Sequence, residues 1–163
     1  MKKLLKIAFL IICASIIMTG CTKTENEERN GEVSNIATFK IYDTANDVII
    51  EEKIVLEDNY TVQDIVDKYK EIYISQEEMP IDYIDSFPSV KVSVEGNKAT
   101  LSFDKIIENV GSGTEGRYIE NLASSVIDNS SEIDEVYINV NGASYESGHI
   151  LIDVNEIVKR RGE

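Results

Sequence analysis

The sequence of 163 residues is poor in the side chains that most often carry catalysis or ligand binding. It has no tryptophan, a single histidine (His149), two cysteines and two prolines. Positive charge is also scarce, because 16 lysines and arginines face 30 aspartates and glutamates, a formal net charge of −14. Binding to nucleic acid or to anionic lipid headgroups needs clustered Lys and Arg. The composition therefore argues against nucleic acid as a partner and against adhesion to a membrane by charge alone.

The first 20 residues predict a targeting segment. Lys2, Lys3 and Lys6 form a basic start, and an apolar run from Ile7 to Met18 follows. This run is shorter than the roughly 20 residues that a membrane span needs, and it has the length of a signal-peptide core. We therefore expect residues 1–20 to be a signal peptide, with an uncleaved anchor as the alternative.

The end of this segment, Ile17-Met18-Thr19-Gly20-Cys21, resembles the lipobox of bacterial lipoprotein signals. A peptidase that cleaves before Cys21 needs small residues in its subsites, and Thr19 and Gly20 are small. The resemblance implies that Cys21 becomes the lipidated first residue of the mature chain, carrying acyl groups such as palmitate. Such a chain is held by its lipid on the outer face of the cytoplasmic membrane. The abundance of isoleucine, asparagine and lysine hints at a Gram-positive source.

Cleavage would change the chemistry available to the mature chain. It removes Cys13, so that Cys21 is the only cysteine left and an intrachain disulfide, a Cys-ligated zinc and thiol catalysis are excluded. It also removes three lysines, which takes the formal net charge from −14 to −17. Residues 21–35 are polar and without apolar periodicity, which predicts a flexible tether.

The remainder predicts one domain over residues 36–158, followed by a basic tail at residues 159–163. Alternating apolar residues indicate strands, and these cover residues 37–41, 50–56, 90–94, 99–103 and 136–140. Apolar residues at helical spacing indicate two amphipathic helices. The first begins at a capping box of Thr61 and Asp64, and the second at a similar pair, Ser112 and Glu115. This order predicts an α/β (α+β) two-layer sandwich, with two helices on one face of a mixed or antiparallel sheet.

Three segments carry a family resemblance. The strand–turn–strand of residues 92–103, the Gly-containing loop and helix of residues 111–127, and the strand of residues 133–142 resemble the GerM domain family of sporulation and germination proteins. The sequence departs from that family at residues 124–126, where Ser-Ser-Val stands near its usual Asn-Thr-Leu, and it lacks the usual proline before the last main strand. The resemblance implies a fold like that of ring-building modules, which assemble side by side. Family members are commonly lipoproteins, and the fold is not an established enzyme fold.

These observations predict a membrane-anchored extracytoplasmic lipoprotein with a non-catalytic interaction or assembly domain. Its role would lie in sporulation, spore germination or the cell envelope. We expect its partners to be the membrane, through the lipid on Cys21, and envelope proteins or further copies of the chain. We expect no catalytic residues, no metal and no cofactor.

Two groups of residues are candidates for an interaction surface. Glu77, Glu78, Asp82 and Asp85 lie in a proline-containing loop, and the alternative function is an envelope protein that binds a glycan or a cation through residues 77–85. The loop lacks the spacing of a calcium-binding EF-hand, and the sequence lacks tryptophan, a common partner of sugars. Among eight tyrosines, Tyr137 and Tyr145 are the second group, because tyrosine is enriched at protein interfaces.

Two further motifs bear on possible chemistry. His149 lies near Ser144 and Ser147, but a Ser–His–acid hydrolase needs the three groups within hydrogen-bond reach, and no G-x-S-x-G elbow is present. The glycines of residues 111–116 could form a phosphate cradle, yet the lysine of a P-loop is missing. A structural histidine and the loop before a helix are the favoured interpretations.

Overall fold

The computed structural model describes residues 35–76 and 81–163. The predicted signal peptide at residues 1–20, the lipidation site Cys21 and almost all of the predicted tether lie outside the described residues. No helix within the described part of the chain is long and apolar enough to cross a membrane.

The described elements alternate between strands and helices. The strands are β1 (Ile36–Asp43), β2 (Val48–Val55), β3 (Val90–Glu95), β4 (Lys98–Phe103), β5 (Glu135–Val140), β6 (Tyr145–Glu146), β7 (Leu151–Ile152) and β8 (Ile157–Arg160). The helices are α1 (Val62–Ile74), a single turn α2 (Ile81–Ile84) and α3 (Ser112–Asn129).

A four-stranded mixed sheet in the order β3-β4-β5-β8 is the largest sheet of the domain. Strands β3 and β4 are antiparallel, β4 and β5 are parallel, and β5 and β8 are antiparallel. Parallel neighbours need a long crossover, and α3 lies in the chain between β4 and β5. Leu101, Phe103, Val136 and Ile138 bury one face of this sheet. The predicted α+β class is confirmed, with the strands divided among this sheet and two small hairpins, β1–β2 and β6–β7.

An aromatic cluster joins α1 to α3. Tyr69 and Tyr73 of α1 pack with Tyr118 of α3 and with Phe87, and the closest ring pair, Phe87 and Tyr118, has centroids 4.7 Å apart. All four side chains are buried. Tilted and edge-to-face ring pairs of this kind add to the free energy of burial. The cluster therefore fixes the two helices to each other.

The two long helices begin differently. At α1 the Thr61 side chain accepts the Asp64 N–H at 3.3 Å, and the Asp64 carboxylate accepts the Thr61 N–H at 2.7 Å, which confirms the predicted capping box. At α3 the N-cap is Gly111, which has no capping side chain, so the predicted pair of Ser112 and Glu115 is wrong. The physical reason is that Glu115 is buried and bonded to another part of the core, as described below.

The end of the domain also differs from the sequence-based boundary. Lys159 and Arg160, which the sequence assigned to a basic tail, lie in β8 and pair with Val136 and Glu135 of β5. Arg160 also approaches Glu135 to 3.2 Å, so that the charge of this strand is partly matched by its neighbour. The domain therefore continues past residue 158.

Candidate functional site

Exposed apolar side chains concentrate on the first hairpin. Ile36, Val48, Ile49 and Val55 are 56%, 48%, 48% and 67% exposed, and they are four of the seven large exposed hydrophobic residues in the described ranges. We call these four residues the hairpin patch. In the register of the hairpin they lie at its two ends, with Ile36 opposite Val55 at one end and Val48 beside Ile49 at the other, and Val48 lies on the other face from the remaining three. Exposed apolar side chains of this kind are candidates for an interaction site.

The face of β1 that lies opposite to Ile36 is part of the core. Side chains alternate between the two faces of a strand, and Ala37, Phe39 and Ile41 are buried. The neighbouring residues of β1, Ile36 and Tyr42, therefore lie on the outer face. In the continuous antiparallel register they stand opposite Val55 and Ile49. The buried face holds the hairpin in place while the outer face stays open to solvent.

The edge of β1 that does not pair with β2 is closed by α3. The Asn129 side-chain amide accepts the Thr38 N–H at 2.8 Å and donates to the Thr38 carbonyl at 2.9 Å, as a neighbouring strand would. Lys40 bonds Asp128 at 3.4 Å. Further along β1, the Arg117 guanidinium lies 4.8 Å from the centre of the Tyr42 ring.

The outer edge of β2 has no such cover in residues 35–76 and 81–163. Within these ranges β2 pairs with β1 alone, over eight residues and without a bulge. Its centre carries Glu51, Glu52 and Lys53, all exposed. An unpaired edge presents free backbone N–H and C=O groups, and peptides or partner strands bind such edges by β-augmentation. The hairpin patch and this edge together form the candidate interaction site.

Tyr137, one of the predicted interaction residues, lies half-buried on the outer face of the four-stranded sheet. Its hydroxyl donates to Glu135 at 2.7 Å, and Lys98 and Arg160 approach the same carboxylate to 3.4 and 3.2 Å. The Tyr137 hydrogen bond and these cations hold the pKa of Glu135 below its ordinary value, and the bond to Glu135 raises the pKa of Lys98. These charges largely satisfy one another. A cavity of about 310 Å³ lies beside them, and Asn155 is among the residues that line it.

Tyr145, the other predicted interface tyrosine, is fully buried. Its hydroxyl donates to Glu115 at 2.6 Å and accepts the Ile107 N–H at 3.1 Å. The prediction of a surface role for Tyr145 is therefore corrected, because its ring packs on Phe103 and its hydroxyl satisfies buried polar groups. Tyr145 lies outside the segments of alternating apolar residues, so the sequence pattern does not indicate its burial.

The structure brings His149 and Ser147 to the rim of one cavity of about 380 Å³, which Glu115 also lines. The Ser147 hydroxyl accepts the N–H groups of His149 and Ile150 at 3.3 and 3.2 Å, which forms a turn. The Glu115 carboxylate accepts the Tyr145 hydroxyl. In the described part of the chain, no hydrogen bond links the His149 ring to Ser147 or Glu115. The Ser–His–acid arrangement that a hydrolase needs is therefore not assembled here.

The predicted acidic loop falls largely outside what the structure describes. Glu77 and Glu78 lie outside the described residues, as does the side chain of Asp82. Asp85 is exposed, and its backbone carbonyl accepts a hydrogen bond from Lys105. Among the residues that the structure does describe, no group of three or more His, Cys, Asp or Glu side chains is placed to bind a metal ion.

The hairpin patch was missed at the level of sequence. The segment Val-Ile-Ile-Glu-Glu-Lys-Ile-Val of β2 was assigned a single buried face. The sequence does carry a signal of the patch. At each end of β2 apolar residues stand at consecutive positions, so that they point to both faces of the strand, and one set must lie on the outer face.

Comparisons with known proteins support the fold. No protein-family profile and no curated protein matches the sequence. Among solved structures, the chain is similar to the first GerMN domain of the sporulation protein GerM from Bacillus subtilis, with a TM-score of 0.54 and 14% sequence identity. The match covers 78% of this chain and 98% of that domain. At this identity the similarity shows a GerMN-like fold, and it agrees with the fold expected from residues 92–142.

Proposed function

We propose that this chain is a lipoprotein, anchored through Cys21 on the outer face of the cytoplasmic membrane. Its GerMN-like domain is a non-catalytic interaction or assembly module that serves sporulation, spore germination or the cell envelope. The observation that carries the proposal is the hairpin patch, four exposed apolar residues beside an unpaired strand edge.

The way the hairpin is held supports a docking role. The buried Phe39 and Ile41 and the two hydrogen bonds between Asn129 and Thr38 fix the strand geometry before a partner arrives. A surface that is already ordered loses little conformational entropy on binding. A partner strand would therefore gain both backbone hydrogen bonds and apolar contact at little cost.

The sporulation setting is supported by the fold alone. The solved GerMN domain belongs to a protein described as a sporulation protein, and its fold is shared by this chain. Fold similarity at low identity is a weak guide to function. The setting is therefore the part of the proposal that an experiment in sporulating cells must establish.

The lipid anchor is supported by the sequence around Cys21. Two or more acyl chains hold a protein on a bilayer far more firmly than one. If residues 22–34 form a flexible tether, they would place the domain roughly 20 Å from the membrane. The surplus of acidic residues would repel the domain from an anionic surface. Lipid, tether and charge together would present the hairpin patch to neighbouring proteins.

Site-specific photocrosslinking in intact cells tests this function. A photoreactive residue replaces Ile49 in the hairpin patch of the full chain, and a matched control replaces Glu120, which is exposed on α3. We expect the Ile49 position to give discrete crosslinked proteins in vegetative or sporulating cells, and the Glu120 position to give none of them. Identical products at both positions, or none at Ile49, would contradict the interaction role.

A second measurement addresses the non-catalytic part of the proposal. We expect the purified chain to leave peptidoglycan intact over long incubation. Hydrolysis that disappears in His149→Ala would show instead that the cavity beside Glu115 is an active site, and the function would then be enzymatic.

A further inference from the structure

We infer that the free edge of β2 pairs antiparallel with β2 of a second copy of this chain, about a two-fold axis at Glu52. The inference rests on the proposed function, because it names the partner of the hairpin patch. It joins two β1–β2 hairpins into one continuous four-stranded sheet across the two molecules.

Symmetry restricts the registers that such a pair can adopt. A two-fold axis between antiparallel strands stands perpendicular to the sheet, so the same face of both hairpins lies on the same side. Residues that face each other must then belong to the same face of β2, and the two residue numbers in each pair must add to an even number. Three central registers satisfy this condition, with Glu51, Glu52 or Lys53 on the axis.

The register centred on Glu52 matches side chains of like or complementary kind. Ile49 faces Val55 of the second copy, and Glu51 faces Lys53. These pairs lie on the outer face, and each occurs twice because of the symmetry. On the other face, Ile50 faces Ile54. Aliphatic and opposite-charge pairs directly across a ladder are stabilising.

The two neighbouring registers lose this match. With Glu51 on the axis, Ile49 faces Lys53, and Ile50 faces Glu52. With Lys53 on the axis, Glu51 faces Val55, and Glu52 faces Ile54. Each of these registers sets charged groups against aliphatic ones. The sequence of β2 is thus self-complementary in one symmetric register.

Among the residues that the structure describes, the edge of β2 is also the edge of this hairpin that nothing covers. Asn129, Asp128 and Arg117 of α3 occupy the β1 side, whereas no described element covers the β2 side. Val55 and Ile49, the residues that would meet across the pair, are 67% and 48% exposed in the single chain. A two-fold pair uses the same surface on both copies and closes at two. The expected assembly is a dimer.

One pair in this register is unfavourable. Glu52 faces its own copy at the axis, and like charges directly opposite each other destabilise a ladder. The acidity of the chain adds to the repulsion. The dimer is therefore expected to be weak in dilute solution and to form where anchoring on one membrane raises the local concentration.

Disulfide crosslinking in intact cells tests the register. The full chain carries Glu52→Cys, and cells are treated with a mild oxidant. In this register residue 52 of one copy faces residue 52 of the other. We therefore expect a disulfide-linked band at twice the mass of the chain, and we expect reductant to remove that band. Lys53→Cys is the matched control, since it lies next along the same exposed strand but faces Glu51 of the other copy. The wild type controls for crosslinks through Cys13 and Cys21. The double variant Glu51→Cys/Lys53→Cys should crosslink as well.

A charge exchange tests the pairing with a readout other than cysteine chemistry. In the Glu52→Cys chain, the added substitution Lys53→Glu places a glutamate opposite Glu51 in both symmetric pairs. We expect it to lower the crosslinked fraction about tenfold. Adding Glu51→Lys restores the opposite-charge pairs and should recover the crosslink. Without the cysteine, Glu52→Gln should tighten self-association about fivefold in sedimentation of the full chain in detergent.

The outcomes separate this inference from the function on which it rests. Equal crosslinking of the Glu52→Cys and Lys53→Cys chains, or no recovery on charge exchange, would overturn the two-fold register. Photocrosslinks from Ile49 to a different protein, with no self-crosslink of the Glu52→Cys chain, would overturn the dimer and leave the interaction function standing. No crosslink from either position would contradict both.

Discussion

Tyr145 donates a hydrogen bond to Glu115 across 2.6 Å, and both side chains are buried, with exposed fractions of 0% and 1%. The same hydroxyl accepts the Ile107 N–H at 3.1 Å. One side chain in β6 thus ties the first turn of α3 to the loop that precedes it. Burial, and next the bond to Glu115, raise the pKa of the Tyr145 hydroxyl, which keeps it protonated as a donor.

Removing this hydroxyl should be costly. Tyr145→Phe leaves Glu115 and the Ile107 N–H buried with one partner fewer, and each unsatisfied group costs about 1–3 kcal/mol. We expect the free energy of unfolding to fall by about 2–4 kcal/mol. Urea denaturation measures it, and the denaturant dependence should stay unchanged, since the surface exposed on unfolding is the same. A loss below about 0.5 kcal/mol would show that the bond contributes little to stability.

Tyr73→Phe is the matched comparison, and its expected outcome has the opposite direction. The Tyr73 hydroxyl is buried among the aromatic rings and has no hydrogen-bond partner in the described structure. Removing a buried group that makes no bond relieves a desolvation cost. We expect the variant to be unchanged or more stable by about 1 kcal/mol. A clear loss of stability in the same urea experiment would show that the hydroxyl is bonded in solution.

The fold was predictable where its signals are local. The alternation of Val92 and Val94 with polar neighbours marks one strand, and Gly96 with φ of +62° supplies the predicted turn. At the turn that follows β5, Asn141 and Gly142 both have positive φ, as a tight hairpin turn requires. The strand β8 was not predicted. Its pairing with β5 depends on contacts between residues about 20–25 positions apart in the chain, such as Arg160 with Glu135, and a local pattern does not contain them.

The candidate site was less predictable than the fold. Tyr137 lies in a predicted strand and Tyr145 lies outside every predicted element, yet the first is on the open face of the sheet and the second is in the core. Glu115 was assigned to a helix cap, and only the three-dimensional structure shows Tyr145 beside it. The candidate interaction site also depends on which edge of the hairpin α3 covers, and this is a tertiary relationship between Asn129 and Thr38.

Asn129→Ala should open the covered edge of β1. The substitution removes both hydrogen bonds to the Thr38 backbone, which are partly buried. We expect a loss of about 1–2 kcal/mol in unfolding free energy and faster hydrogen exchange of the Thr38 amide. Glu120→Ala, at an exposed position of the same helix, is the control and should stay within about 0.5 kcal/mol of the wild type. Unchanged exchange at Thr38 would show that the Asn129 amide does not close this edge.

The cluster around Glu135 predicts a pH dependence. The Tyr137 hydrogen bond first, and then Lys98 and Arg160, hold the pKa of Glu135 below its ordinary value of 4.5 in the folded chain. The stabilisation is therefore complete above about pH 5 and is lost as the pH falls through the lowered pKa. We expect Glu135→Gln to flatten the acid side of the stability curve, and Tyr137→Phe to flatten it less. If the stability curves of both variants stay parallel to that of the wild type from about pH 5 to pH 3, the protonation of Glu135 is not coupled to stability.

Cys21→Ser should release the protein from the membrane. The proposed anchor depends on acyl chains at this thiol, and the acidic domain has no net positive charge to replace them. We expect the wild type in the membrane fraction, with incorporated labelled palmitate. We expect Cys21→Ser to carry no label and to be depleted from that fraction at least tenfold, because losing even a few buried methylenes lowers membrane affinity about tenfold. Cys13→Ser is the matched control, because that cysteine lies inside the predicted signal peptide, and it should behave as the wild type. If Cys21→Ser still carries label, or if both variants fractionate alike, Cys21 is not the lipidation site.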